Sequence, residues 1–319
     1  MSSIFSVRKN PPKDVEGSPA EGGAEVEMAN EWDRVTAAVQ EDQTTGAQSG
    51  PQRTAYPPVS YRELLTYINQ IDIEPLRSQL LVEEPPSGLF AKLCFCFGPP
   101  KLTGVLADER ERCFAMAKIQ FDENEEMHHR LLQTIFRKYT GATGTVARYG
   151  SHWEDVGFQG KDPATDLRSC GVLGLVHLLY LHHHNEQSAA AIYMLSRDTI
   201  QEFPLAPLSI NLTSIALKAL RAGQLSAEAK RRGSTWSALA DFYVGAFYQF
   251  YLTWKAGGKT MKDSGFVRQA LEKDLLSTGT TAATYEVTKR TLGASAAVKA
   301  EKESKGEELL LSTEVLESK

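Results

Sequence analysis

The 319-residue chain predicts an all-α domain, an irregular multi-helix bundle with disordered tails at both ends. Three observations carry that expectation. Apolar residues recur at spacings of three and four through most of the middle of the chain, the alternation of a half-buried strand is missing there, and both ends are rich in residues that cannot build a core. Residues 1–57 hold few aromatics among Glu, Gly, Ser, Thr, Pro and Gln, so the apolar surface they could bury would not offset the entropy of ordering them. Residues 277–319 drift into Ala, Lys, Glu and Ser, with a weakly helical stretch and an exposed Leu309-Leu310-Leu311, and are read as a linker or a docking segment. Residues 58–276 are then one helical domain.

The elements follow in order. Ser60 and Glu63 form the pattern of a capping box, after which Leu64, Leu65, Ile68 and Ile71 line one helix face. A helix over 107–121 turns Cys113, Phe114, Met116, Ala117 and Ile119 inward. Asn124 caps the next, where Met127, Leu131, Leu132, Ile135, Phe136 and Tyr139 recur at helical spacing until Gly141 ends it. Four further helices are expected over 187–203, 208–222, 236–255 and 266–276. Between the two sets lies the run from Trp153 to Gly174, which is built differently.

In that run Trp153 and Phe158 are large apolar anchors, Gly157 and Gly160 permit backbone angles closed to other residues, and Asp162-Pro163 is a turn dipeptide. Thr165 is expected as the N-cap of an apolar helix containing Leu167, Val172, Leu173, Leu175, Val176, Leu178, Leu179 and Leu181. Arg168 then falls in the first helical turn, where a cation meets the positive end of the dipole at a cost of roughly 0.3–1 kcal/mol when exposed. Helix stability does not explain such a residue. Read from the residues alone, an arginine here ties the loop to backbone carbonyls. Gly171 and Gly174 are expected to permit close helix packing.

Trp153, Gly157, Phe158, Gln159, Gly160, Pro163, Thr165, Asp166, Arg168, Gly171, Leu173, Gly174 and Leu175, followed by Tyr180, match without a gap the signature of the ELMO domain. The chain therefore resembles that family, most specifically over Trp153 to Tyr180. Two positions depart from the pattern: Leu167 replaces an aromatic, and Ser169 replaces a glycine and leaves the backbone less freedom. The family has long scaffold members that join an exchange factor for Rac-type GTPases, and short members that activate Arf and Arf-like GTPases. This chain resembles the short branch, since the tail after Leu276 holds no proline and hence no PxxP ligand.

The resemblance implies a GTPase-activating protein for an Arf-family small GTPase, with Arg168 acting on GTP and magnesium that the partner holds. The chain would bring no cofactor, no metal and no chemistry of its own. Asp166 is then a candidate to orient the guanidinium or cap the helix, although helical residues two apart do not face each other. Gln159 is a second candidate for contact with the partner, while Trp153, Gly157, Phe158, Gly160, Pro163 and Thr165 shape the loop. Leu167 and Ser169 leave open an alternative: an adaptor that binds a small GTPase or a Rac exchange factor without catalysis.

Composition excludes other classes. A net charge of −5 argues against general nucleic-acid binding, which needs a concentrated basic face. No stretch reaches the length of about eighteen apolar residues that spans a bilayer. With no signal-peptide core, and Ser2 where myristoylation needs glycine, a cytoplasmic chain is expected, with peripheral membrane contact open. Cys94, Cys96, Cys113 and Cys170 are too few and too irregular for a disulfide framework. Cys94-Phe95-Cys96-Phe97 is read as an apolar loop packed under the domain, with S-acylation the alternative. His182-His183-His184 is read as a polar helix terminus, because consecutive helical residues point in three directions and cannot converge on one ion. Lys230-Arg231-Arg232 is read as a solvated basic turn.

Overall fold

The computed structural model describes residues 56–80, 100–277 and 280–290. The expected tails, apart from Tyr56, Pro57, Ser277 and 280–290, lie outside the described residues, as do Cys94-Phe95-Cys96-Phe97 and Leu309-Leu310-Leu311. The described residues are helical with no strand among them, as the periodicity predicts. The helices are α1 (Tyr61–Gln70), α2 (Val105–Lys118), α3 (Glu126–Thr140), α4 (Gly171–His184), α5 (Glu186–Ser196), α6 (Leu205–Arg221), α7 (Ser226–Arg232), α8 (Thr235–Ala256), α9 (Ser264–Leu276) and α10 (280–290). Short 3-10 helices stand at Glu74–Gln79, Ser151–Val156, Pro163–Ser169 and Met261–Asp263.

Two of these helices are apolar nearly all round, and the rest are arranged about them. α4 is buried continuously from Gly171 to His182 and packs on α1, α2, α3, α5, α6 and α8. α8, the longest, packs on α2, α6, α7 and α9 as well. In contrast, α1 buries only Leu64 and Ile68. The one buried histidine of α4 that faces α8, His177, stacks on Tyr243 with ring centroids 4.5 Å apart and meets the Thr213 hydroxyl at 3.0 Å. Burial pushes its pKa down to about 3, so it is a neutral core residue.

Helix ends differ from the sequence expectation where a competing group wins. Ser60 accepts the Glu63 amide, but the Glu63 carboxylate pairs with Arg130 across to α3 instead of reaching back. At α3 the cap is Glu125, which accepts the Met127 amide, while Asn124 is engaged with the Asp122 carboxylate. Gly141 ends that helix at φ 75°, as expected. The Lys230-Arg231-Arg232 turn corrects the reading of a solvated loop. It is the end of α7, where Arg232 pairs with Glu228 at 2.6 Å and with Asp241 of α8. Asp241 also accepts the Tyr180 hydroxyl at 2.6 Å, so α4, α7 and α8 share one carboxylate.

Three close approaches set the helix positions. Glu109 of α2 accepts the Ser234 hydroxyl and the amides of Thr235 and Trp236, satisfying backbone donors at the start of α8. At Gly245 a Cβ would lie 2.4 Å from the Thr284 carbonyl, so α8 has a notch into which α10 fits. The fit is fastened by Tyr285, whose hydroxyl donates to the Ala238 carbonyl at 2.7 Å, and by Thr288, which donates to the Asp241 carbonyl. The third approach is at Gly171, the first residue of α4, with φ 51° and a Cβ position 2.3 Å from the Ile119 carbonyl. The next amide, Val172, donates to that same carbonyl at 2.8 Å.

Gly171→Ala therefore combines a left-handed backbone with a backbone clash. It should cost about 2 kcal/mol or more, against roughly 1 kcal/mol for Gly141→Ala, whose left-handed site has open space around it. Urea denaturation of both variants checks this, and equal losses would contradict the clash at Ile119.

Candidate functional site

The signature loop is closed by its own backbone before any helix is reached. The Gly150 amide donates to the Lys161 carbonyl at 3.0 Å, bringing the two arms together. Trp153 is fully buried, packs edge-on against Phe136 and Phe158, and donates its indole N–H to the Arg148 carbonyl. Gly157, at φ 84°, lets the chain pass within reach of α6, since a Cβ there would lie 2.6 Å from the Leu205 nitrogen. Gly160 has φ 69° and is exposed, so its freedom serves the turn alone. Phe158 and Pro163 are buried, and Gln159 is half-buried.

Two carboxylates then hold the arms. Asp162 caps the 3-10 helix Pro163–Ser169 by accepting the Ala164 amide, and pairs with Arg148 at 2.8 Å. This corrects the cap expected at Thr165, whose hydroxyl donates to the Asp162 carbonyl and which is itself exposed. The physical reason is that an aspartate directly before Pro163 reaches the free amides first, leaving Thr165 inside the turn. Asp166 accepts the Gln159 amide at 2.7 Å. It thus ties the descending arm to the helix, neither orienting the guanidinium by a direct bond nor capping α4.

The position of Arg168 also differs from the expectation. It lies in the last turn of the 3-10 helix, and α4 starts only at Gly171. The dipole penalty inferred from the sequence does not apply there. With three residues per turn, Ala164, Leu167 and Cys170 fall on one side of the 3-10 helix, and Thr165 and Arg168 on another. Leu167 is 1% exposed and Cys170 is buried, whereas Thr165 and Arg168 are both exposed. Leu167, the departure from the family aromatic, packs close to Gly174 and keeps the inward role. Burying Leu167 is what turns the arginine out. Among the described residues no hydrogen bond or ion pair engages Arg168, and its carboxylate neighbour Asp166 feels it only weakly.

Arg148 went unnoticed in the sequence. It lies with its guanidinium 4.5 Å from the Phe121 ring centroid and 4.6 Å from that of Tyr149, while it pairs with Asp162. A loop arginine that meets an aspartate across a glycine turn leaves no periodic trace. His182-His183-His184 forms the last turn of α4, where His183 stacks on Tyr61 at 4.1 Å. No cluster of three or more metal-ligating side chains occurs among the described residues.

Burial raises the Asp166 pKa to about 6, partly offset by the Gln159 amide, and Asp162 pushes the same way as burial. Between about pH 4, where the unfolded carboxyl titrates, and about pH 6 the folded state holds a proton that the unfolded chain has released. This group's contribution to stability is therefore full below that window and declines as the pH rises through it. Asp166→Asn, neutral throughout, should lack that decline. Denaturation midpoints of both proteins across the window test it, and parallel profiles would rule it out.

Residues 111–268 match the model of the ELMO/CED-12 family. The chain is similar to ELMO domain-containing protein 3 of Homo sapiens, at 38% identity over 249 residues, covering 77% of this chain and 64% of that protein. The protein of that name from Mus musculus is 39% identical over 216 residues, covering 67% of this chain and 57% of its own length. ELMO domain-containing protein 2 of Bos taurus is 32% identical over 111 residues, covering 35% of this chain and 38% of that protein. The chain spans less than two thirds of the length of the first two relatives. No solved structure matches it. With the signature loop inside the matched span, the chain carries a domain of the ELMO/CED-12 family.

Proposed function

We propose that the domain accelerates GTP hydrolysis on an Arf-family small GTPase, with Arg168 delivered to the GTP and magnesium that the partner holds. The observation that carries this reading is the placement of Arg168. It is exposed on the outward side of a short 3-10 helix, engaged by no hydrogen bond or ion pair among the described residues. The loop beneath it is closed by Asp162, Asp166 and the buried Trp153.

Phosphoryl transfer to water spreads negative charge over the transferred oxygens, and a guanidinium brought from outside neutralises it. Such arginines contribute about 10³ to 10⁵ in rate, roughly 4 to 7 kcal/mol. Arginine suits the task by its fixed charge and planar fork, which a lysine ammonium lacks. A loop already locked in place has little ordering entropy left to lose on docking, so more of the contact energy is available for positioning. The similarity to ELMO domain-containing proteins supports a small GTPase as the partner through the family resemblance of the signature. In this reading the protein works in the cytoplasm, where such a GTPase presents its nucleotide.

Single-turnover GTP hydrolysis on a panel of Arf-like GTPases provides the test. The unmodified chain should accelerate at least one of them. Arg168→Lys and Arg168→Ala should each lose about 10³-fold of that acceleration while keeping fold and association. Association without acceleration by the unmodified chain would replace this reading with that of an adaptor.

A further inference from the structure

A pair of arginines, remote from the signature loop, meets at one aromatic ring. Arg110 on α2 and Arg221 in the last turn of α6 both approach the ring of Phe114, at 5.4 and 5.2 Å from its centroid. Phe114 is itself 5% exposed and fixed in the core; Arg110 stands four residues before it on the same helix, while Arg221 reaches the ring from α6. Each contact alone has an ordinary explanation. A cation over an aromatic ring is favourable, and a cation in the last turn of a helix meets the negative end of its dipole. Neither accounts for bringing two guanidiniums to one ring, where they repel.

The carboxylates of the neighbourhood are committed elsewhere. Glu109 caps the start of α8, Glu111 stands 3.6 Å from Arg77, and Glu272 of α9 pairs with Lys218, one turn before Arg221. No described residue forms a hydrogen bond or ion pair with Arg110 or Arg221. Arg110 is half-buried, and burial followed by repulsion from Arg221 lowers its pKa, with only Glu111 acting in the opposite direction. Arg130, Arg148, Arg197, Arg231 and Arg232, by contrast, each have an acidic partner. In a chain of net charge −5, an uncompensated pair of this kind is a place for an outside anion.

We propose that Arg110 and Arg221, backed by Phe114, form a binding site for a phosphate monoester. Two planar forks on flexible stems can close on one tetrahedral dianion with parallel N–H donors, a geometry that a single carboxylate or a phosphodiester fills less well. Arg221 is exposed and Arg110 half-buried, so the site takes a terminal phosphate that protrudes from its carrier or is free in solution. The site is separate from the candidate catalytic arginine. The loop that leads to Arg168 meets the start of α6, where Gly157 approaches Leu205, and Arg221 is at the other end of that helix, roughly 24 Å away along the axis.

The test uses the full chain with three probes: inorganic phosphate, phosphatidylcholine vesicles carrying phosphatidic acid, and matched vesicles carrying phosphatidylglycerol. Binding to phosphate or to phosphatidic acid is expected, with clear preference for phosphatidic acid over the diester lipid. Arg110→Ala and Arg221→Ala should each weaken monoester binding about tenfold or more, and Arg110→Lys should recover only part of it. Circular dichroism shows whether each variant keeps its helices. Binding of inorganic phosphate alone assigns the site to a free phosphate, and binding of phosphatidic acid vesicles assigns it to a lipid headgroup. Equal binding to the two anionic vesicles, no binding to either monoester probe, or folded variants that bind as well as the unmodified chain would overturn the proposal.

Discussion

The meeting of α2 and α4 at Gly171 is the constraint on which the rest depends. One carbonyl, that of Ile119, lies so near the first residue of α4 that no side chain fits between them, and it accepts the amide of the next residue. A helix as apolar as α4 has many ways to bury itself, and apolar burial has no direction of its own. The contact at Gly171 supplies the missing direction. It fixes where α4 begins, and therefore where the preceding 3-10 helix must end. Arg168 points outward because Leu167, Cys170 and Gly171 all have inward commitments within the same few residues.

The loop upstream is held by charge and hydrogen bonds in much the same way as the helices are held by packing. Asp162 serves two partners at once, capping the 3-10 helix with one contact and holding Arg148 with another. Asp166 ties the opposite arm. These carboxylates are short side chains acting over short distances, so small displacements are resisted directly. The sites of Arg168 and of the Arg110–Arg221 pair differ in this respect. The first rests on a loop locked by its own residues, while the second rests on one ring of α2 that meets an arginine of its own helix and one from α6.

The helical architecture was legible because period is a collective property: Leu131, Leu132, Ile135 and Phe136 all vote for the same face of α3. Helix ends were less legible because a single nearby competitor decides each of them. Glu63 matches a capping box yet pairs with Arg130, sixty-seven residues on. Asp162 displaced Thr165 by being one turn earlier and next to a proline. In the candidate site, the glycines and large anchors could be read from residue type, since conformational freedom and bulk are intrinsic. The role of Asp166 could not, because its partner is a backbone amide across a turn. Arg148 and the pairing of Arg110 with Arg221 were hidden for a related reason: each depends on which elements become neighbours.

The notch at Gly245 carries a consequence for where the domain ends. Helical periodicity fades after Leu276, yet the backbone of Thr284 fits into α8 where a methyl group would already be too large. The hydroxyl of Tyr285 and that of Thr288 reach main-chain oxygens of α8. A boundary drawn at the last amphipathic repeat would strip this cover away and leave the flank of the longest helix open to water, with Phe242 losing the ring of Tyr285 that stands edge-on against it. The domain is completed by a segment whose membership is written in small and hydroxyl-bearing residues.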